Sequence, residues 1–210
     1  MKKILFAAIA LFIGSGAIAQ DVRLGIKAGT NFSTLTGLSD EISDMFGGLN
    51  KMGFGVHVGG FLEYAFNERF SLHPEILYSR QGTDLDGHLL KVSISGYYSL
   101  NYINIPILLK VNIAEGLSVE IGPQVGFLIS SYRTITLKNT ETNAELEIAT
   151  GSITSKSNTV DFTAAIGLSY TFAENFVVSA RYGLGLTKVS KTSGNNWKNS
   201  VIQLSVGYKF

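Results

Sequence analysis

The sequence predicts an all-β protein, an eight-stranded antiparallel up-and-down transmembrane β-barrel. Three observations carry this reading. Apolar and polar residues alternate strictly over segments of about ten to twelve residues, enough to cross a bilayer at ~3.3 Å per residue and ~45° tilt. The connections between those segments alternate short and long. The chain ends on an unbroken alternating stretch, with Ile202, Leu204, Val206, Tyr208 and Phe210 on one face and Gln203, Ser205, Gly207 and Lys209 on the other. Aromatic rings at such a strand end favour the membrane–water boundary.

The amino-terminus reads as a targeting segment. Lys2 and Lys3 precede the apolar run Ile4–Ile13, and Gly14, Ser15, Gly16 and Ala17-Ile18-Ala19 follow. A basic region, a short apolar region and an A-x-A site make a signal peptide. Residues 1–19 are expected to be removed after Ala19, leaving 20–210 as the outer-membrane β-barrel domain. The run is shorter than the ~20 residues of a transmembrane helix, and no other long apolar run follows. The formal net charge of +1 over 210 residues argues against nucleic acid as a partner. No cysteine is present, which excludes a disulfide scaffold, a lipobox anchor and cysteine-based zinc.

The spanning strands follow in order. Val22–Phe32 turns Leu24, Ile26, Ala28, Thr30 and Phe32 outward, and Arg23 and Lys27 inward. Ser33–Met52 is a polar, Gly-rich connection in which Ile42, Met45, Phe46 and Leu49 have helical spacing. Phe54–Phe66 turns Val56, Val58 and Leu62 outward, and His57, Phe61 and Glu63 inward. Phe70–Gln81 returns with His73 and Glu75 inward. Pro74 breaks a ladder bond, so a bulge or distortion is expected there. Asp86-Gly87 reads as a hairpin tip beyond the membrane.

Tyr102–Ile113 places Asn104, Leu108 and Lys110 inward. Leu117–Ser130 places Glu120, Gln124 and Ser130 inward. The longest polar connection, Ser131–Asn158, contains two alternating pieces, Thr134–Lys138 and Glu145–Ile148, that are candidates for a projecting hairpin. Val160–Phe172 carries Asp161 inward, Phe176–Thr187 carries Arg181 inward, and Val201–Phe210 carries Lys209 inward. Three short turns match: Phe66-Asn-Glu-Arg-Phe70, Ile113-Ala-Glu-Gly-Leu117 and Phe172-Ala-Glu-Asn-Phe176. Gly116 and Asn175 suit the left-handed position of a three-residue loop. Short periplasmic turns and long outer loops are the outer-membrane pattern.

A soluble lipocalin-like barrel with the apolar face inward is the competing reading. The glycines argue against it. Gly25, Gly29, Gly55, Gly59, Gly122, Gly126, Gly167, Gly183, Gly185 and Gly207 all lie on the polar face. A solvated surface gains nothing from them, whereas a narrow lumen needs them to make room for Arg, Lys and Glu. Aromatics gather at strand ends. Tyr64, Phe66, Phe70, Tyr170, Phe172, Phe176, Tyr208 and Phe210 form an expected periplasmic girdle, and Phe32, Phe54, Tyr102 and Phe127 an outer one.

The signal peptide, the Asn104–Lys110 strand with its Ile-Pro-Ile, the Gly122-Pro-Gln-Val-Gly126 segment and the terminal Tyr208-Lys209-Phe210 resemble the PorT-like outer-membrane β-barrel family. The resemblance covers essentially the whole mature chain. It implies an integral barrel in the cell outer membrane, labelled porin-like without a demonstrated pore. Its partners would be outer-membrane lipids, the barrel-insertion machinery that reads Tyr208 and Phe210, and an extracellular or periplasmic protein. A monomer is expected.

The lumen charges expected to form a network are Arg23, Lys27, Lys110, Arg181 and Lys209 against Glu63, Glu75, Glu120 and Asp161, with His73 among them. Their near balance suits a structural salt-bridge network in a side-chain-filled lumen. The role that follows is structural or surface-interacting through the loops. The alternative is a narrow porin-like channel for small solutes. Catalysis has no support, because none of the three histidines lies beside a serine motif and no GxSxG occurs. No cofactor is implied. Thr83–Gly87 lacks the oxygen ligands of a calcium loop and reads as a turn, and the histidines lack metal spacing.

Counting back from the short turns sets Lys110 opposite Glu120 and His73 opposite Glu63, close enough to interact as cross-strand pairs. The terminal strand gives the first test. Removing Tyr208–Phe210 should abolish the heat-modifiable migration of the barrel on gels of membrane fractions. Normal migration of the truncated chain would rule out the insertion-signal reading.

Overall fold

The computed structural model describes residues 22–37, 50–89, 91–142, 144–191 and 196–210. The signal-peptide reading of residues 1–19 and the Ile42, Met45, Phe46, Leu49 cluster lie outside them.

The strands are β1 (Val22–Thr36), β2 (Asn50–Ala65), β3 (Phe70–Leu89), β4 (Val92–Ala114), β5 (Leu117–Asn139), β6 (Glu145–Ser152), β7 (Val160–Phe172), β8 (Phe176–Gly185) and β9 (Lys198–Lys209). Eight of them close a ring in the order β1-β2-β3-β4-β5-β7-β8-β9, and every pairing is antiparallel. β9 closes on β1 from Gly25↔Lys209 to Thr36↔Lys198. β6 spans nothing and pairs with the far end of β5.

The faces follow the alternation. Ile26, Val58, Ile166, Leu168 and Val206 stand outward and exposed, whereas Lys27, His57, Glu75, Glu120 and Arg181 are buried in the lumen. At the short-turn end the rings of Phe172, Phe176, Tyr208 and Phe210 touch in succession, with centroids 5.1–5.6 Å apart. Tyr64 and Phe66 pair at 5.2 Å on the same rim. Phe32 and Phe54 pair at 5.8 Å toward the other end.

Two of the turns differ from expectation. Gly116 does take a left-handed conformation (φ 72°), and a bulge between Asn112 and Ala114 makes Ala114, not Ile113, the partner of Leu117. In the turn after β7 the left-handed residues are Ala173 (φ 47°) and Glu174 (φ 62°), not Asn175. Asn175 uses its side chain instead, donating to the Lys209 carbonyl at 2.6 Å and pinning the end of β9.

Pro74 makes no bulge. The β3–β4 register is the same at Pro74↔Ile107 and Leu77↔Asn104, with the two positions between them unpaired. The β4–β5 ladder has a similar gap between Pro106↔Gln124 and Leu109↔Ile121. The three prolines of the chain, Pro74, Pro106 and Pro123, thus lie in one band across three adjacent strands. Each lacks a donor, and the ladder omits bonds without slipping.

Beyond the ring the wall continues on one side. Val92–Leu100 of β4 pairs with Ser131–Asn139 of β5, β3 runs alongside to Leu89, and β6 adds the outer edge. The expected hairpin between Thr134–Lys138 and Glu145–Ile148 is part of this arm. The expected tip at Asp86-Gly87 is not a tip. Those residues pair with Ser95 and Ile94, and Thr83–Gly87 is strand and not turn.

Polarity inverts in the arm. Within the membrane segment the inward face is polar. A bulge at Asn101/Tyr102 then places Ile129 out of register, so Ser131 is buried and Ser130 exposed, opposite to the inward expectation for Ser130. Above it the continuation of the inward face carries Tyr98, Ile94, Ile135 and Leu137 with Arg133, and the other face carries Ser93, Ser95, Thr134, Thr136 and Lys138 with the exposed Tyr97 and Tyr132. Water replaces lipid outside, so the apolar side chains turn in. Tyr102 belongs to this inward set. It is 1% exposed and packs with Leu35, Leu100, Leu128 and Val189, so it is not a girdle residue.

Leu168, 52% exposed at mid-strand on β7, tests the lipid face. Leu168→Arg should cost ~2–4 kcal/mol in urea unfolding from liposomes, the cost of a cation at the bilayer midplane. A change near zero would remove this face from the lipid.

Candidate functional site

The lumen is the candidate site, and its residues come from strands that are not neighbours. Lys27 on β1 stands opposite Gly59 on β2, which stands opposite Leu77 on β3. A Cβ at Gly59 would run into the Ile76 carbonyl of β3, so β2 carries no side chain at this level, and the Lys27 ammonium crosses it to donate to Glu75 Oε1 at 3.0 Å. Gly167 on β7 does the same between Glu120 and Arg181. Arg181 crosses it to donate to Glu120 Oε2 at 2.8 Å.

Arg181 also reaches the far wall. Its Nη1 donates to Glu75 Oε2 at 2.9 Å and its Nη2 to Glu75 Oε1 at 2.7 Å, a bidentate pair. His73 lies between the carboxylates, with Nε2 3.4 Å from Glu75 and Nδ1 3.9 Å from Glu120, and its ring is 4.7 Å from that of Phe61. Two cations, two carboxylates and a histidine therefore fill one level of the barrel, all almost fully buried.

The next level toward the long loops is uncharged. Asn31 donates from Nδ2 to Ser79 Oγ at 3.0 Å and accepts at Oδ1 from Gln203 Nε2 at 3.1 Å. That oxygen also faces His57 Nδ1 at 2.8 Å, and His57 Nε2 faces Ser205 Oγ at 2.7 Å. An amide oxygen only accepts, so His57 carries a proton on Nδ1.

Toward the short turns Lys110 donates to Glu63 at 2.9 Å, and Lys209 lies 3.8 Å from the same carboxylate. The side-chain partners differ from the anticipated pairs. Lys110 does stand opposite Glu120 in the ladder. Its ammonium nevertheless goes to Glu63, because Arg181 already holds Glu120. A planar five-donor guanidinium binds two carboxylates at once, whereas a flexible lysine takes what remains. His73 likewise keeps the level of Glu63 in the register that runs from Phe61↔Glu75 to Tyr64↔Leu72, while its ring nitrogens lie near Glu75 and Glu120.

Two of the ten expected network residues stand apart. Arg23 is exposed at the short-turn mouth and forms no ion pair with a described residue. Asp161 sits at the opposite end, accepting from Thr187 Oγ1 at 2.6 Å and Asn199 Nδ2 at 2.7 Å. Asn31, Ser79, Gln203 and Ser205 lie on the inward face that strand parity gives them, and with His57 they form an uncharged network outside the expected set of charges.

Both ends of the lumen are distinct. At the short-turn mouth a vestibule of about 570 Å³ is lined by Arg23, Glu63, Lys110 and Lys209. At the other mouth Leu35, Leu100, Tyr102, Leu128 and Val189 pack together, with Tyr98 and Trp197 against them. The arm above carries exposed ion pairs, Lys51–Asp86 at 2.5 Å, Lys91–Glu141 at 2.6 Å and Lys138–Glu145 at 3.0 Å. The hydrogen bond and charge of Lys51 hold the Asp86 carboxyl below the usual range.

A closed antiparallel ring with a lipid-facing apolar exterior and a lumen packed with its own charges defines a transmembrane β-barrel protein. The chain belongs to the outer membrane protein beta-barrel domain family, whose model matches residues 18–191. It is a protein of the cell outer membrane, with short turns on the periplasmic side and the arm outside. No curated protein matches its sequence. Among solved structures it is similar to Ail, the attachment invasion locus protein of Yersinia pestis, in complex with the heparin analogue sucrose octasulfate. That match has 17% identity and TM-score 0.48, covering 91% of this chain and 100% of that one. Neisserial surface protein A matches at 13% identity and TM-score 0.46, covering 89% and 97%. CarO of Acinetobacter baumannii matches at 13% and 0.45, covering 88% and 97%.

Double-mutant cycles on urea unfolding in detergent test the pairing. Lys110 and Glu63 should couple by ~0.5–3 kcal/mol and Lys110 and Glu120 by close to zero. Glu75→Ala, which strips Arg181 and Lys27 of a shared carboxylate, should cost ~3–5 kcal/mol. Equal coupling of Lys110 to both carboxylates would overturn the assignment.

Proposed function

We propose that this protein is a non-conducting outer-membrane barrel that acts at the cell surface through its extracellular loops, with the lumen network serving structure. One observation carries the reading. The Lys27–Glu75–Arg181–Glu120 cluster joins opposite walls of the ring by direct contacts of 2.7–3.0 Å, which supports a lumen closed by its own side chains at that level. The apolar cluster at the outer mouth adds a second closure.

The arm is the element suited to contact. β4 and β5 are each 23 residues long, about twice what a span requires. Its edge strand β6 pairs only with β5 among the described residues, which supports an extracellular protein partner added by strand pairing. Outer-membrane lipids and the insertion machinery are the remaining partners, and the barrel acts as a monomer. The narrower PorT-like affinity rests on the Asn104–Lys110 and Gly122–Gly126 segments. The proposal includes removal of residues 1–19, for which amino-terminal sequencing of the membrane form should begin at Gln20.

The second reading, a narrow porin-like channel, is favoured by the periplasmic vestibule, which opens one end of the polar lumen. Planar-bilayer recording separates the two. The wild-type barrel should give no discrete conductance steps. Reproducible single-channel steps, lost on heat unfolding, would establish the channel instead.

A further inference from the structure

The outer mouth holds a pocket that the plugged lumen does not explain. It is about 90 Å³ and is lined by Leu35, Leu100 and Val189 below, Tyr98 and Trp197 at the side, and Arg133 and Lys156 at the rim. Tyr98 and Trp197 meet edge to face at 5.8 Å. Leu35, Leu100 and Val189 are 1–6% exposed, so the floor is rigid core and not a surface dent.

Among the described residues the charges at this mouth fall into two groups. On the arm Lys51, Lys91 and Lys138 each have a carboxylate partner. Arg133 and Lys156 form no ion pair with any described residue. The turn Thr154–Lys156 is zipped to the segment after β8, with Lys191 N–H donating to the Lys156 carbonyl at 2.9 Å and Asn158 Nδ2 to the Lys188 carbonyl at 2.7 Å. Of these lysines Lys156 lines the pocket, while the Lys191 ammonium donates to the Ser155 carbonyl at 3.4 Å beside it. Between Ser152 and Lys198 the acidic residues are Asp161, hydrogen-bonded inside the barrel, and Glu174, in a periplasmic turn.

We infer that this pocket binds a small organic anion with an apolar or aromatic body, taken from the external medium. The cations supply the attraction, and bound guanidinium and ammonium groups are strong partners for carboxylate, sulfonate or phosphate oxygens. The floor supplies the second requirement. Leu35, Leu100, Val189, Tyr98 and Trp197 offer aliphatic and aromatic surface beside the hydroxyls of Ser157 and Ser190, so a bare hydrated ion or a polyhydroxylated sugar would lose more hydrogen bonds than it regains. The volume, about three waters' worth at ~30 Å³ each, takes the anionic head and the first carbons. The inward-facing apolar side of the arm, with Tyr98 and Arg133 at its base and Ile94, Ile135 and Leu137 above, receives the rest of the body. The occupant is an amphiphilic anion, and this holds whether or not the arm also binds a protein.

Trp197 is the single tryptophan of the chain, so its emission reports on the pocket directly. The full mature barrel in nanodiscs would be titrated with 2-naphthalenesulfonate, with neutral 2-naphthalenemethanol and with inorganic sulfate. The sulfonate should quench Trp197 saturably. The R133A/K156A variant should bind it at least tenfold more weakly, and the charge-conserving R133K/K156R should retain binding. K91A/K138A, which alters ion-paired lysines of the arm, should behave as wild type. Heat-modifiable migration establishes folding of each variant, and exposed Lys156→Ala alone supplies the test if the double variant fails to assemble. Equal affinity in the alanine variant, or equal response to the neutral alcohol, would overturn anion recognition. Competition by inorganic sulfate at the sulfonate's own concentration would overturn the need for an apolar body. In neither case would the conductance result change, so the two readings fail separately.

Discussion

The pairing of β1 with β9 is the interaction on which everything else depends. In hydrocarbon an unpaired backbone N–H or C=O finds no water, so a sheet with edges is not viable there. Twelve consecutive residue pairs, Gly25↔Lys209 to Thr36↔Lys198, remove both edges at once. Closure then dictates the rest. A small ring encloses a narrow lumen, each strand sends every second side chain into it, and those side chains must satisfy one another. The bidentate contact of Arg181 with Glu75 is a consequence of the seam between the first and last strands.

The barrel therefore has two cores of opposite character. Inside the membrane span the core is ionic and hydrogen-bonded, because lipid already receives the apolar side chains. Past the Asn101/Tyr102 bulge the surroundings become aqueous and the core becomes apolar, as in a water-soluble protein. The same strands β4 and β5 contribute to both. On β5 the extra residue Ile129 resets the parity, whereas β4 keeps its parity and changes the residues it places inward, from Asn104 and Lys110 to Tyr102, Leu100, Tyr98 and Ile94.

Strand positions and the register around the periplasmic turns were legible in the sequence because a period of two and a short turn leave few choices. Lys110 opposite Glu120 is correct as a ladder position. It failed as a contact because long side chains in a narrow lumen choose partners across the ring, and Gly59 and Gly167 open those crossings. That choice is three-dimensional and no strand-by-strand reading contains it. Ser130 differs because the extra residue Ile129 shifts the parity of β5 without leaving a mark in composition, whereas Tyr102 keeps the parity of Asn104 and Lys110 and is inward by alternation alone. The arm was only partly legible. Its alternation is intact at Thr134–Lys138 and Glu145–Ile148, but its inverted polarity and the many Ser and Thr residues of Ser93–Ser99 and Ser131–Thr136 resemble a solvated loop. Asn175 shows the limit of turn rules. A residue that favours the left-handed region is retained for its side-chain amide, and Ala173 and Glu174 take the unusual backbone instead.

The proline band gives the wall a mechanical character of its own. Most of the ring is a continuous hoop of cross-strand bonds, but at Pro74, Pro106 and Pro123 three neighbouring staves share a zone where bonds are missing and register is kept. A hoop with one compliant sector deforms there first under lateral stress. The compliant sector therefore falls on β3–β5, the same strands that carry the arm.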